Sequence, residues 1–186
     1  MKNIILASSS IRRQELLREL DLEFTIITPP LQEEIIPNEL SRTETAEHIA
    51  LQKANQFKNI NDNEIIITAD TIVWIDNKIL GKPKDYADAF AMLKLLSGKS
   101  HYVVTGVCIK SKDKTKVFNS ETLVTFTEIT DKEINYYIEN YKPYDKAGAY
   151  GIQEWIGKIA IESISGCYYN VMGLPIQKLY RELMRY

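Results

Sequence analysis

Histidine and cysteine are scarce in this chain, with two of each among 186 residues. Cys108 and Cys167 lie far apart and form no CxxC, so neither a disulfide framework nor a zinc site is suggested. His48 and His101 each stand alone, which removes most imidazole-based metal and triad chemistry; both read as structural or exposed. No apolar stretch approaches the roughly 20 residues that span a bilayer. The N-terminal apolar run is too short, and too soon interrupted by arginines, for a secretory signal, so the chain reads as cytoplasmic. Surplus positive charge is also missing. With 23 Lys and Arg against 25 Asp and Glu, the net charge is −2, which gives no bulk attraction to nucleic acid or anionic membrane. No basic stripe with interleaved aromatics suggests a nucleic-acid surface. Neither G-x-x-x-x-G-K-[ST] nor G-x-G-x-x-G occurs, so an ordinary P-loop and a dinucleotide fingerprint are both excluded. There is no internal repeat or long linker. The length suits one domain, residues 1–186, and 45% hydrophobic residues are enough for a substantial core.

Periodicity predicts alternating strands and helices. Lys2–Ala7 reads as a buried strand, Ile11–Leu20 as a helix, and Glu23–Thr28 as a second strand ending at Pro29-Pro30. A helix from Glu44 to Phe57 follows, with Ser41 and Glu44 in a capping-box pattern. Ile65–Ala69 is a strand covered on both faces, and Ile72–Ile75 and Lys78–Leu80 flank the hairpin turn Asp76-Asn77. Asp85 caps a helix with the stripe Ala89, Met92, Leu93 and Leu96, which Gly98 ends. His101–Ile109 and Lys116–Phe126 are two long strands. Thr130 with Glu133 opens a helix to Asn140, and Tyr141–Gln153 is a Gly/Ala/Tyr loop. Lys158–Ile164 reads as a strand and Pro175–Met184 as a closing helix. The pattern implies an α/β or α+β fold with a mixed sheet.

Certain residues break this pattern. The apolar run Ile4–Ala7 stops at Ser8-Ser9-Ser10, and Arg12 and Arg13 then occupy the first turn of a helix. A helix N-terminus favours negative charge, so two arginines there are wrong for the helix alone and suit a docked polyphosphate. The bland alternative is a Ser-rich cap beside surface arginines. Lys53 falls on the stripe Ala46, Ile49, Ala50, Ala54 and Phe57, where it either snorkels outward or meets an anion. Arg13 shares a face with Leu16, Leu17 and Leu20. Asp70, followed by Thr71, ends the buried run Ile65–Ala69. It either ligates a hard cation or orients water beyond a strand end, or accepts backbone N–H bonds in a turn. Glu33 and Glu34 add carboxylate, and Gly81-Lys82-Pro83-Lys84 adds cations in a stiffened turn. Cations and carboxylates without a histidine cluster suit phosphoryl chemistry with Mg²⁺ or Mn²⁺.

These residues carry a resemblance. Leu6-Ala7-Ser8-Ser9-Ser10-Ile11-Arg12-Arg13-Gln14-Glu15-Leu16-Leu17 resembles the N-terminal signature of the Maf family of nucleoside triphosphate pyrophosphatases. The likeness continues through Lys53-Ala54, Ala69-Asp70-Thr71, Gly81-Lys82-Pro83 and Leu96-Ser97-Gly98. It closes with Asp145 through Gln153 and Met172-Gly173-Leu174-Pro175. The resemblance implies an elongated mixed sheet flanked by helices, Maf/inosine-triphosphatase-like, with two lobes around a substrate cleft and a homodimer. It implies metal-dependent hydrolysis between the α and β phosphates, and the Ala-Asp-Thr and Lys-Ala-Gly-Ala-Tyr-Gly-Ile-Gln segments resemble the branch acting on dTTP and UTP. By position, Asp70 resembles the catalytic carboxylate, with Glu33, or Glu34, as its metal-binding partner. Ser8, Arg13, Lys53 and Lys82 match phosphate-binding positions, and Arg12, Thr71 and Gln153 match positions tied to base selection. The family's association with septum inhibition leaves a second expectation, a nucleotide-binding regulator of division without turnover. Two departures stand out: Ile11 replaces a usual proline, and Glu154-Trp155 follows Gln153 where glycine is common, implying a bulkier base-proximal loop.

Overall fold

The structure, a computed structural model, describes residues 2–28, 35–37 and 39–186. The chain forms two compact units. The first comprises Met1–Thr71, Thr105–Ser120 and Gly173–Tyr186, and the second Ile72–Val104 and Glu121–Met172.

In the first unit β1 (Asn3–Ala7) is flanked by two parallel neighbours, β2 (Phe24–Ile27) and β3 (Glu64–Ile75). Ile4 stands opposite Phe24 on one side and Ile65 on the other, which explains why Ile5, Leu6 and Ala7 are buried. Parallel neighbours need long crossovers. The connection from β1 to β2 contains α1 (Ile11–Arg18), burying Leu16 and Leu17, and the one from β2 to β3 contains α2 (Arg42–Ala54). Ser41 caps α2 as expected: its hydroxyl takes the Glu44 N–H, and the Glu44 carboxylate takes the Ser41 N–H at 2.9 Å. The buried face of α2 carries mostly small residues, Ala46, Ala50 and Ala54. Its neighbour β5 (Ser100–Lys110) explains this, since a Cβ at Gly106 would lie 2.1 Å from the Ala46 carbonyl oxygen. The Thr68 hydroxyl then ties β3 to α2 by donating to the Ala50 carbonyl at 2.7 Å. Near the chain end, α7 (Ile176–Leu183) buries Ile176, Leu179 and Leu183.

In the second unit the later part of β3 pairs antiparallel with β4 (Lys78–Leu80) across Asp76-Asn77. Both turn residues have positive φ, as a two-residue hairpin requires. Helix α3 (Tyr86–Leu96) is capped by Asp85, whose carboxylate accepts from the Asp88 N–H at 2.9 Å. Strand β6 (Thr115–Phe126) pairs antiparallel with β7 (Ile161–Ser165). Helix α4 (Asp131–Tyr141) opens with the Thr130/Glu133 capping box. Leu93, Leu96, Phe126, Ile134, Tyr137, Ile138 and Ile156 belong to this unit's core. The hydrogen-bonded strand order is β2-β1-β3-β5-β6-β7 with β4 on β3, so the expected mixed α/β sheet is present.

Three expectations about elements are corrected. The two strands read on either side of Asp70 are one twelve-residue strand. Between Ile67, the last residue in register with β1, and Val73, the first opposite β4, this strand changes neighbour without breaking. The strand expected over Lys158–Ile164 begins only at Ile161, because Trp155–Ala160 forms α5. Ile156, Ile159 and Ala160 recur at helical spacing, and Ile156 and Ala160 are fully buried. A further helix, α6 (Tyr168–Met172), lies where none was expected.

Candidate active site

The β1–α1 corner has the chemistry of an anion site. Ser8 is buried, its hydroxyl accepting from the Ser10 N–H at 3.2 Å and its carbonyl from Gln14 Nε2 at 3.1 Å. Ser10 occupies the N-cap but makes no side-chain cap bond, and the first turn holds no acid. The dipole end of α1 is thus left without the internal carboxylate or hydroxyl that normally satisfies it. Arg12 and Arg13 are half-buried there.

Lys53 and Asp70 are brought together. The ammonium of Lys53, in the last turn of α2, donates to Asp70 Oδ1, and the two side chains are 24% and 16% exposed. Lys53 therefore neither snorkels outward nor awaits a foreign anion alone, for its face of α2 meets a carboxylate of the same unit. Asp70 lies inside β3, three residues past Ile67, where pairing with β1 has stopped. The strand end that makes room for it is that of β1, not its own. Its Oδ2 has no partner among the described residues.

Arg13, on the face of α1 that buries Leu16 and Leu17, is directed inward. Its Nε donates to the Gly173 carbonyl at 2.8 Å, Nη1 to the Ala69 carbonyl at 2.8 Å and Nη2 to the Thr71 hydroxyl at 2.9 Å. The guanidinium thus braces α1 against both neighbours of Asp70 in sequence. Gly173 has φ +117°, a conformation other residues rarely adopt, and this turns its carbonyl to Arg13. The Thr71 hydroxyl also meets that of buried Thr105 at 2.9 Å. Thr105 was not singled out from the sequence, and Gly173 entered only within the Met172–Pro175 motif, with no role of its own. A Thr-Gly pair within a strand and a Gly-Leu-Pro turn carry little signal alone.

Lys82 and Gln153 belong to the second unit. Lys82 is exposed in the turn after β4, and the preceding Gly81 carbonyl accepts from the Gly148 N–H at 3.0 Å. Gln153 is partly buried, with its Oε1 wholly enclosed and without a hydrogen-bond partner. Glu154, the departure expected to enlarge the loop, instead turns inward. Its carboxylate accepts from the Tyr137 hydroxyl and pairs with Lys146 at 3.0 Å. Burial, and the hydrogen bond to that carboxylate, push the Tyr137 hydroxyl well above the usual phenol range. His101 is structural, as read. Its Nε2 meets the Tyr150 hydroxyl at 2.7 Å, and burial lowers its pKa to about 4.

Glu33 and Glu34 lie outside the described residues. No group of three His, Cys, Asp or Glu gathers among the described residues. The Asp70 oxygen that meets no described residue is nevertheless a hard donor of the kind Mg²⁺ accepts, an ion commonly held by one or two carboxylates and its substrate's phosphates.

A family model described as Maf-like protein matches residues 3–186. The dTTP/UTP pyrophosphatase of Flavobacterium psychrophilum is 51% identical over 184 residues, covering 98% of this chain and 94% of that protein. The dTTP/UTP pyrophosphatase of Phocaeicola vulgatus is 52% identical over 183 residues, covering 98% and 95%. A solved nucleoside-triphosphatase (dITP/XTP pyrophosphatase) of Mycobacterium abscessus aligns with TM-score 0.42 at 16% identity, covering 69% of this chain and 76% of that one, too low a likeness to bear on function.

Proposed function

The chain belongs to the Maf family, and from that premise we propose that it hydrolyses dTTP and UTP to the monophosphate and pyrophosphate. Relatives at half identity named for that activity support the reaction and the substrate pair. The observation that carries the reading is Asp70, oriented by Lys53 through one carboxylate oxygen with the other left for water.

Asp70 Oδ2 aligns a water molecule and takes its proton as the oxygen attacks the α-phosphorus. The bond from that phosphorus to the bridging oxygen breaks, and pyrophosphate leaves. Little covalent work falls to the protein in such a transfer, so positioning and charge neutralisation dominate. Ser8, Arg13 and Lys53 with the α1 N-terminus hold the phosphates, and Lys82 is a further phosphate-binding residue. Arg12, Thr71 and Gln153 select the base; a glutamine amide matches the O4/N3 edge of thymine or uracil. Asp70, with Glu33 or Glu34, would hold Mg²⁺ or Mn²⁺, which when bound neutralises charge on the phosphate oxygens. Residues 1–186 act together as one catalytic domain, as a cytoplasmic homodimer that binds neither nucleic acid nor membrane.

The test is pyrophosphate release from dTTP, UTP, CTP, GTP and 7-methyl-GTP with Mg²⁺, with Mn²⁺ and with chelator. Metal-dependent turnover led by dTTP and UTP is expected. Tight nucleotide binding without turnover under either metal would replace this reading with that of a regulator.

A further inference from the structure

Gln153 sits in a turn held at both ends by one hydroxyl. The Glu154 N–H donates to the Gly151 carbonyl at 3.0 Å, closing a four-residue turn with Ile152 and Gln153 at its centre. The Gly151 N–H donates to the Tyr137 hydroxyl at 3.0 Å, and the same hydroxyl donates to Glu154 Oε2. Tyr137 projects from α4 and is wholly buried, so the clamp is anchored in the core. Glu154 Oε1 is held in turn by Lys146, whose side chain is 8% exposed and which also pairs with Asp145 at 2.8 Å. Between the clamped ends, Ile152 is buried and Gln153 Oε1 is enclosed without a partner.

A glutamine amide presents an acceptor and a donor, and a rotated amide reads cytosine as readily as an unrotated one reads thymine. Discrimination therefore depends on holding the amide in one place and one orientation. We propose that Tyr137, Glu154 and Lys146 are positioning residues for base selection, fixing the turn so that Gln153 keeps its enclosed Oε1 turned inward and offers its Nε2 donor to the O4 of thymine or uracil. This rests on the pyrophosphatase reading above, but none of the three residues belongs to the phosphate or carboxylate machinery.

Tyr137→Phe removes only the hydroxyl, and Glu154→Gln is isosteric. In each, the ratio of kcat/KM for dTTP to that for CTP is expected to fall about tenfold or more, chiefly through KM for dTTP, in protein that remains folded by circular dichroism. In a Gln153→Ala background, Tyr137→Phe should lower the ratio no further, since it acts through that side chain. An unchanged ratio in both folded variants, with only the melting temperature lowered, would reduce the clamp to a structural brace. Calorimetric binding of dTTP and CTP to the same proteins separates the two failures. Wild-type protein that neither turns over nor discriminates these nucleotides overturns the functional reading and this inference together. Wild-type and variant proteins that discriminate equally overturn this inference alone.

Discussion

At Asp70 a single carboxylate divides its oxygens between two tasks: Oδ1 is fixed by Lys53, while Oδ2 meets no described residue. Asp70→Asn keeps the shape and the Lys53 contact through its carbonyl but removes the base. A loss of about 10²-fold or more in kcat is therefore expected with little change in folding. Steady-state kinetics on protein checked for unaltered melting decides it; near-normal turnover would remove Asp70 from the mechanism. Lys53 and Asp70 were legible in the sequence because each violates its surroundings, a cation on an apolar stripe and an acid closing an apolar run. Arg13 was legible as an anomaly but not in its contacts, because its acceptors are two carbonyls and a hydroxyl remote in sequence. Backbone carbonyls leave no mark on residue identity. Tyr137 and Glu154 were hidden for another reason. An aromatic on an amphipathic helix reads as core, and only the fold brings its hydroxyl to a carboxylate seventeen residues on.

Among the elements, α2 delivers Lys53 and depends on a glycine in another strand for its seat. Gly106→Ala drives a methyl carbon against the Ala46 backbone, which sits 2.1 Å from the ideal Cβ position. Backbone cannot rotate away as a side chain can, so α2 must shift. A destabilisation of about 1–3 kcal/mol, the usual range for overpacking in a tight core, is expected together with a lower kcat as the Lys53–Asp70 pair is displaced. Thermal unfolding and turnover of the same sample check both, and unaltered values for each would show that the strand yields instead. Elements with caps and clean periodicity, α2, α3 and α4, were readable to within a few residues, because Ser41, Asp85 and Thr130 act locally. The segment around residues 155–165 was not. Its Ile residues suit strand and helix alike, and burial of Ile156 with Ala160 decided for helix over the first six. Asp70 was taken for a strand terminus because a polar residue usually marks one; here it marks a change of neighbour.

For the molecule as a whole, acid stability contains an identifiable contribution from His101. Its folded pKa of about 4 lies below the ordinary 6.5, so the folded state resists a proton that the unfolded chain accepts. Stability from this group is complete above pH 6.5 and is lost as pH falls toward 4, by about 3 kcal/mol at one pKa unit per 1.36 kcal/mol. Urea unfolding at pH 7 and near pH 4 should show a smaller acid loss in His101→Gln than in wild type; identical losses would place the sensitivity elsewhere.

The division of the chain has a consequence for its biosynthesis. The second unit is drawn entirely from residues 72–172, whereas the first needs Gly173–Tyr186 as well as its opening residues. On the ribosome, every residue of the second unit emerges while the first still lacks α7 and the buried Ile176, Leu179 and Leu183. The corner that opens the chain, with Ser8 and Arg13, must therefore wait as nascent chain for Gly173, the acceptor 160 residues downstream. The unit whose synthesis starts first is the last that can close.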